Sequence, residues 1–116
     1  MTDPEVPNRN ITTLTTTIMD SYLEYVNNQT DDFETRLIEG VNTSKYKIGG
    51  ENAGSFITVF EEKDGDYKDA YEWVVTIHNN QLYQFQFMSH AEVFDSQRVT
   101  EIRKHMFDSI KWIDDS

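Results

Sequence analysis

Apolar residues recur at helical spacing near the start of the chain, between residues 13 and 28. Five of them form one stripe at intervals of three or four residues: Leu14, Ile18, Tyr22, Tyr25 and Val26. This pattern predicts an N-terminal helix that ends at Asn27-Asn28. Thr12 or Thr13 would be its N-cap, because a threonine side chain can accept hydrogen bonds from free backbone amides in a first turn.

After this helix the period changes to two, which is typical of strands. Asp64-Gly65 and Asn79-Asn80 separate neighbouring runs and are the residue types of tight hairpin turns. Strands joined by such turns must be antiparallel. The predicted strands are 33–39, 44–48, 55–62, 70–78 and 82–89.

A second helical stripe predicts a closing helix over 96–110, with Asp95 or Ser96 as its N-cap. Val99, Ile102, Met106 and Ile110 would face the core, and 111–113 would add a short final strand.

The predicted fold class is therefore α+β: an antiparallel sheet of four to six strands flanked by an N-terminal and a C-terminal helix. Residues 1–12, which hold both prolines, would form an extended lead-in to a single domain over 13–116.

The strands 70–78 and 82–89 alternate most clearly, and we assign each a core side. Trp73 with its neighbours at alternate positions, and Phe85 with Tyr83 and Phe87, would share the core face. The reverse face would be semi-polar, and we predict that it is a groove for a ligand or a partner protein. Its candidate residues are Glu72, Thr76, Gln84, Gln86 and Met88. The alternative is a face that is wet or covered by a helix.

Charge narrows the classes of partner. The 116 residues carry a net charge of −11, which argues against nucleic acid and anionic lipid and favours basic partners or cations. No apolar run reaches the roughly 18 residues of a membrane span. The chain has no cysteine, and its serines lie in no known nucleophile motif, so we do not expect an enzyme.

Two sets of side chains have the chemistry of metal ligands. Asp64, Asp66 and Asp69 cluster at one predicted hairpin and would suit calcium, whereas Glu101 and His105 lie four apart on the last helix and would suit zinc. The alternatives are a solvated acidic turn and a solvated helix pair, which 21 acidic residues produce without any metal site. No cofactor is certain from the sequence.

Three Asn-x-Ser/Thr sequons, at Asn10, Asn28 and Asn42, are the signature of glycosylation. They favour an extracellular or cell-surface protein over a cytoplasmic one. Accidental matches in a chain rich in Asn and Thr are the alternative. No leader is seen in this chain, since residues 1–10 have no apolar segment.

Several short motifs follow one another in an order that resembles the PsbP-like family over residues 13–113. They are Tyr22-Leu23-Glu24-Tyr25, Gly50 to Ala53, Phe56 to Phe60, Asp64-Gly65, Tyr71 to Ile77, Leu82 to Phe87, Val93-Phe94-Asp95 and Met106 to Trp112.

The resemblance implies an α/β/α sandwich, shared with the Ran-binding Mog-type proteins. Its founding members are extrinsic subunits of photosystem II, and other members are exported or lipid-anchored. We therefore expect a non-catalytic, exported or surface-associated binding or accessory domain. The alternative is an intracellular adaptor that docks through an acidic surface.

Overall fold

The polypeptide folds into an antiparallel sheet with helices before and after it, as the computed structural model shows for residues 10–29 and 32–113. The predicted α+β class is confirmed. The elements are α1 (Ile11–Asn27), β1 (Phe33–Asn42), β2 (Lys47–Ile48), β3 (Glu51–Glu62), β4 (Lys68–His78), β5 (Gln81–His90), α2 (Ala91–Phe94) and α3 (Gln97–Asp108).

The predicted elements need correction at both ends of the domain. Of the predicted lead-in, residues 1–9 lie outside the described part of the chain, and residues 11–12 already belong to α1. The predicted strand over 111–113 is wrong, because these residues have no strand pairing. Trp112 instead stacks on the ring of His78, with 4.0 Å between ring centroids.

Helix α1 begins at Ile11, two residues earlier than predicted, because Asn10 is its N-cap. The Asn10 Oδ1 accepts hydrogen bonds from the amides of Thr12 (2.8 Å) and Thr13 (3.4 Å), so the prediction of a threonine cap is wrong. Three consecutive threonines follow without breaking the helix. Each donates its hydroxyl hydrogen to the carbonyl four residues earlier, as Thr15 does to Ile11 at 2.6 Å.

The sheet has the strand order β1-β3-β4-β5, with β2 paired to one end of β3. Strands β4 and β5 are joined by a two-residue turn in which Asn79 and Asn80 both have positive φ, as predicted for this hairpin. Their register runs without a shift over ten pairs, beginning with His78 opposite Gln81. Strand β5 therefore lies at an edge of the sheet.

Helix α1 covers one face of the sheet, which we call the α1 face. Tyr22 of the helix contacts Trp73 with ring centroids 4.6 Å apart, and Trp73 stacks on the fully buried Phe56. Trp73 also donates its indole hydrogen to Thr58 Oγ1 at 3.2 Å. Since α1 packs chiefly on β1 and β3, this helix does not cover the β5 side of the face.

Helices α2 and α3 lie on the opposite face, the α3 face. Phe107 of α3 is fully buried there in a cluster with Val74 and Phe85, and Phe94 of α2 is buried in a second cluster. The prediction that Ile102 faces the core is wrong, because its side chain is 49% exposed. Arg103 takes the inward position instead, and its charge is met by a partner on β4.

The largest correction concerns the two rows of aromatic residues, which do not share a face. Trp73 lies opposite Gln86 on β5, and Phe85 lies opposite Val74. Residues opposite one another in an antiparallel pair point to the same side, so Trp73 is on the α1 face and Phe85 is on the α3 face. The two-residue turn causes this, because it pairs odd-numbered residues of β4 with even-numbered residues of β5.

Candidate functional site

The five residues predicted to form one semi-polar groove lie on two different faces. Glu72 and Thr76 point into the α3 face and are fully buried. Gln84, Gln86 and Met88 lie on the α1 face and are exposed. The prediction that all five residues form a single surface is therefore wrong. Gln84, Gln86 and Met88 nevertheless share one surface.

This surface, here called the β5 strip, consists of Leu82, Gln84, Gln86 and Met88. Leu82 is 40% exposed and Met88 is 54% exposed, which is high for large apolar side chains. The sequence reasoning missed Leu82. Leu82 alternates with Gln84 and Gln86 along the strand, and the preceding turn has two residues. These two features of the sequence are enough to place Leu82 on the same face as the glutamines.

Each residue of the β5 strip lies beside an apolar or aromatic residue of β4. The cross-strand pairs are Leu82 with Ile77, Gln84 with Val75, Gln86 with Trp73 and Met88 with Tyr71. Ile77, Trp73 and Tyr71 are half-buried, so the apolar surface continues from the strip toward α1. The glutamine amides supply donors and acceptors without charge.

Charge is unevenly distributed over the sheet. Strand β5 contains no Asp, Glu, Lys or Arg, whereas each of the other four strands contains at least one. An uncharged, partly apolar strip in a chain of net charge −11 is a local departure from the composition of the rest of the molecule. Such a surface can lose its water at lower free-energy cost than a charged one.

A cluster of charged residues surrounds Glu72, which is buried on the α3 face. Its Oε1 is 2.6 Å from Arg103 Nε and accepts a hydrogen bond from the Tyr46 hydroxyl at 2.8 Å, and its Oε2 is 2.6 Å from Lys45 Nζ. The Arg103 contact is a close ion pair, although its angles are not those of a hydrogen bond. Glu72 is thus compensated by two cations and a hydroxyl.

The same cluster joins three parts of the chain. Arg103 also donates a hydrogen bond to the carbonyl of Phe94 at 2.9 Å, and its guanidinium lies 3.8 Å from the centroid of that ring. Burial, together with the hydrogen bond to Glu72, raises the pKa of Tyr46 well above its usual value. Glu72 and Arg103 are closed to solvent, whereas the Lys45 side chain is 28% exposed. The geometry of the cluster is that of a structural clamp between β4, α3 and the segment before β2.

The structure does not gather the predicted metal ligands. Asp64 and Asp66 lie exposed in the turn before β4, and Glu101 and His105 are exposed on α3. Asp69 is buried near the start of β4, at the end of the β4–β5 hairpin that is farthest from the Asn79-Asn80 turn. Among residues 10–29 and 32–113, no group of three or more His, Asp or Glu is placed to hold a metal ion.

Asp69 has two partners of its own. Its Oδ1 lies 3.3 Å from His90 Nδ1, and Tyr67 forms a hydrogen bond with it that raises the pKa of the Tyr67 hydroxyl. Tyr67 and His90 line a surface cavity of about 500 Å³ together with Asp66, Lys68, Ala91 and Glu92. The Asp69 side chain is only 6% exposed and is paired with both Tyr67 and His90.

The three sequons differ in accessibility. Asn10 and Asn28 are exposed at the two ends of α1, whereas Asn42 is half-buried and accepts a hydrogen bond from the amide of Ser44 at 2.9 Å. Asn10 caps α1 through its oxygen, which leaves its nitrogen as the atom that a glycan would modify.

Comparison with models of protein families, with curated protein sequences and with solved structures finds no match to this chain. The PsbP-like resemblance therefore stays a prediction from the motifs. Within the described part of the chain, none of the helices has both the length and the apolar character needed to cross a membrane.

Proposed function

We propose that this chain is a non-catalytic binding domain that contacts a protein partner through the β5 strip. The observation that carries the proposal is the exposure of Leu82 and Met88 on β5, which contains no Asp, Glu, Lys or Arg. Scattered apolar residues are normal on a protein surface, but these two lie in one continuous row with Gln84 and Gln86, beside the half-buried Trp73.

The arrangement of the buried ionisable groups favours binding over catalysis. Glu72, the fully buried acid, has its oxygens occupied by Arg103, Lys45 and Tyr46 and has no exposed surface. A catalytic acid or base needs to reach a substrate proton, either directly or through one water molecule. The Glu72 carboxylate has no such access.

We further propose that the domain is PsbP-like and acts outside the cell or at its surface as an accessory protein. The α+β sheet flanked by helices at both ends is compatible with that family, and the exposure of Asn10 and Asn28 is compatible with glycosylation. Mass analysis of the protein from its source tests the compartment. Sugar on Asn10 or Asn28 supports export, whereas unmodified sequons favour the alternative of an intracellular adaptor.

A photo-reactive phenylalanine analogue introduced at Gln84 tests the proposed surface in the source cells. We expect irradiation to link the chain to a partner protein whose mass differs from that of the chain itself. The matched control carries the same analogue at Thr100, an exposed position of α3 on the other side of the sheet. Equal products from the two positions, or none from Gln84, would contradict the proposal.

A further inference from the structure

The outer edge of β5 carries backbone groups that no neighbouring strand of the described chain uses, because β5 pairs with β4 alone. The residues flanking a two-residue turn exchange both backbone hydrogen bonds, and bonded and non-bonded pairs then alternate along the hairpin. His78 and Gln81 flank the turn, so Gln81 and every second residue after it in β5 bond to β4. The residues between them are the four of the β5 strip, and their amides and carbonyls point away from β4. An edge of this kind can pair with another strand.

The two edges of the sheet differ in how they are protected. Strand β1 carries Glu34, Arg36 and Glu39, and its register with β3 shifts twice between Leu37 and Asn42. Charges and bulges of this kind hinder pairing with a further strand. Strand β5 has an unbroken register, no proline, and none of these charges. It is therefore the edge that is open to strand addition.

The sequence of β5 identifies the strand that suits this edge. Read outward from Phe85, the residues match in chemical kind on both sides: Gln84 with Gln86, Tyr83 with Phe87, Leu82 with Met88 and Gln81 with Ser89. An antiparallel copy of β5, related by a two-fold axis at Phe85, would place amide against amide, aromatic against aromatic and apolar against apolar. A two-fold interface requires this self-complementarity.

The hydrogen-bonding pattern agrees with that register. Gln84 would lie opposite Gln86 of the second copy, and Leu82 opposite Met88, and all four have outward-pointing backbone groups. Phe85 would face its own copy in a non-bonded pair, where side chains approach most closely. The half-buried row of Tyr83, Phe85 and Phe87 would then continue across the axis on the α3 face.

We propose that two copies of this chain associate through the outer edges of β5, antiparallel and with Phe85 on the two-fold axis. The contact uses the edge of β5, whereas the function proposed above uses its side-chain face. The second copy is favoured over a basic peptide as the occupant because β5 offers no negative side chain that would attract one.

Two single-cysteine variants, Gln84→Cys and Gln86→Cys, test the register, because the wild-type chain contains no cysteine. In the proposed dimer, position 84 lies opposite position 86 at a Cα separation of about 5.5 Å, which a disulfide spans. Positions 84 and 84, or 86 and 86, lie about 7–8 Å apart, which is too far. Mild oxidation should therefore link an equimolar mixture well above the level seen with either variant alone.

Three results would overturn the inference: no excess in the mixture, strong linking of Gln86→Cys alone, or strong linking of Gln84→Cys alone. Gln86→Pro gives a second test, because it removes an outward-pointing N–H without breaking a bond to β4. With folding confirmed by circular dichroism, we expect loss of the dimer in sedimentation velocity, while Gln86→Thr keeps it. A folded Gln86→Pro dimer would contradict edge pairing. A monomeric wild type that still links to another protein from position 84 would refute this inference and leave the proposed function standing.

Discussion

The carboxylate of Glu72 is fully buried on the α3 face. Burying a carboxylate is costly unless cations and hydrogen-bond donors surround it. Arg103, Lys45 and Tyr46 provide them from residues 26 to 31 positions away along the chain. No local pattern in the sequence could have revealed this grouping.

Removing the Glu72 carboxylate tests the clamp. Glu72→Leu should lower the free energy of unfolding by about 3–5 kcal/mol, because it leaves Arg103 buried without its counter-charge. Urea denaturation followed by circular dichroism measures the loss. The double variant Glu72→Leu/Arg103→Met removes both charges, and we expect it to be more stable than Glu72→Leu alone. A single variant as stable as the wild type would show that the clamp contributes nothing.

Tyr46 predicts how stability depends on alkaline pH. Its pKa in the folded state is raised above the usual 10.0, so above that pH the unfolded chain loses its hydroxyl proton first. The stabilisation is therefore complete below about pH 10 and declines as the pH rises further. We expect Tyr46→Phe to show a shallower decline between pH 9 and 11 in urea denaturation. An unchanged slope would contradict the role assigned to Tyr46.

At the scale of elements, the close approach of α1 to β3 depends on Gly54. A Cβ atom placed there would clash with the side chain of the fully buried Thr15. Gly54→Ala should therefore push α1 away from the sheet and cost about 1–3 kcal/mol of stability. Gly40→Ala is the matched control on β1, because nothing lies within 4 Å of the added methyl group. Thermal denaturation of the two variants compares the effects, and equal melting temperatures would refute the account.

The sequence predicted most elements, because each depends on a local period and a local turn. Strands β3, β4 and β5, the Asn79-Asn80 turn and the closing helix with its Ser96 cap are all present. The short helix α2 was missed, since four residues are too few to show a helical period.

The candidate site was only half predictable from the sequence. Gln84, Gln86 and Met88 were assigned to the exposed side of their own strand, which is where they lie. Alternation within a strand does not relate its two faces to those of a neighbouring strand, so it wrongly places Glu72 and Thr76 on the same surface as the residues of β5. A shift of one residue in register moves every side chain to the opposite face. Counting from the two-residue turn gives the observed arrangement.

At the scale of the whole molecule, the net charge opposes the association of two copies, whereas the uncharged strand β5 favours it. Two copies that each carry −11 repel one another at long range, whereas the β5 edges can pair at short range. Salt screens the repulsion, with a Debye length of about 8 Å near physiological ionic strength. We therefore expect the fraction of dimer to rise with salt concentration at fixed protein concentration. Light scattering after size-exclusion chromatography measures this fraction, and a decrease with salt would indicate a charge-driven contact instead.

Sedimentation velocity of the wild-type chain over a series of protein concentrations tests most directly the claim that two copies pair through the outer edge of β5. The account predicts a reversible shift from monomer to dimer as concentration rises. It also predicts that Gln86→Pro abolishes this shift and that Gln86→Thr does not. A chain that sediments as a monomer at every concentration, or a Gln86→Pro variant that dimerises as the wild type does, would contradict it.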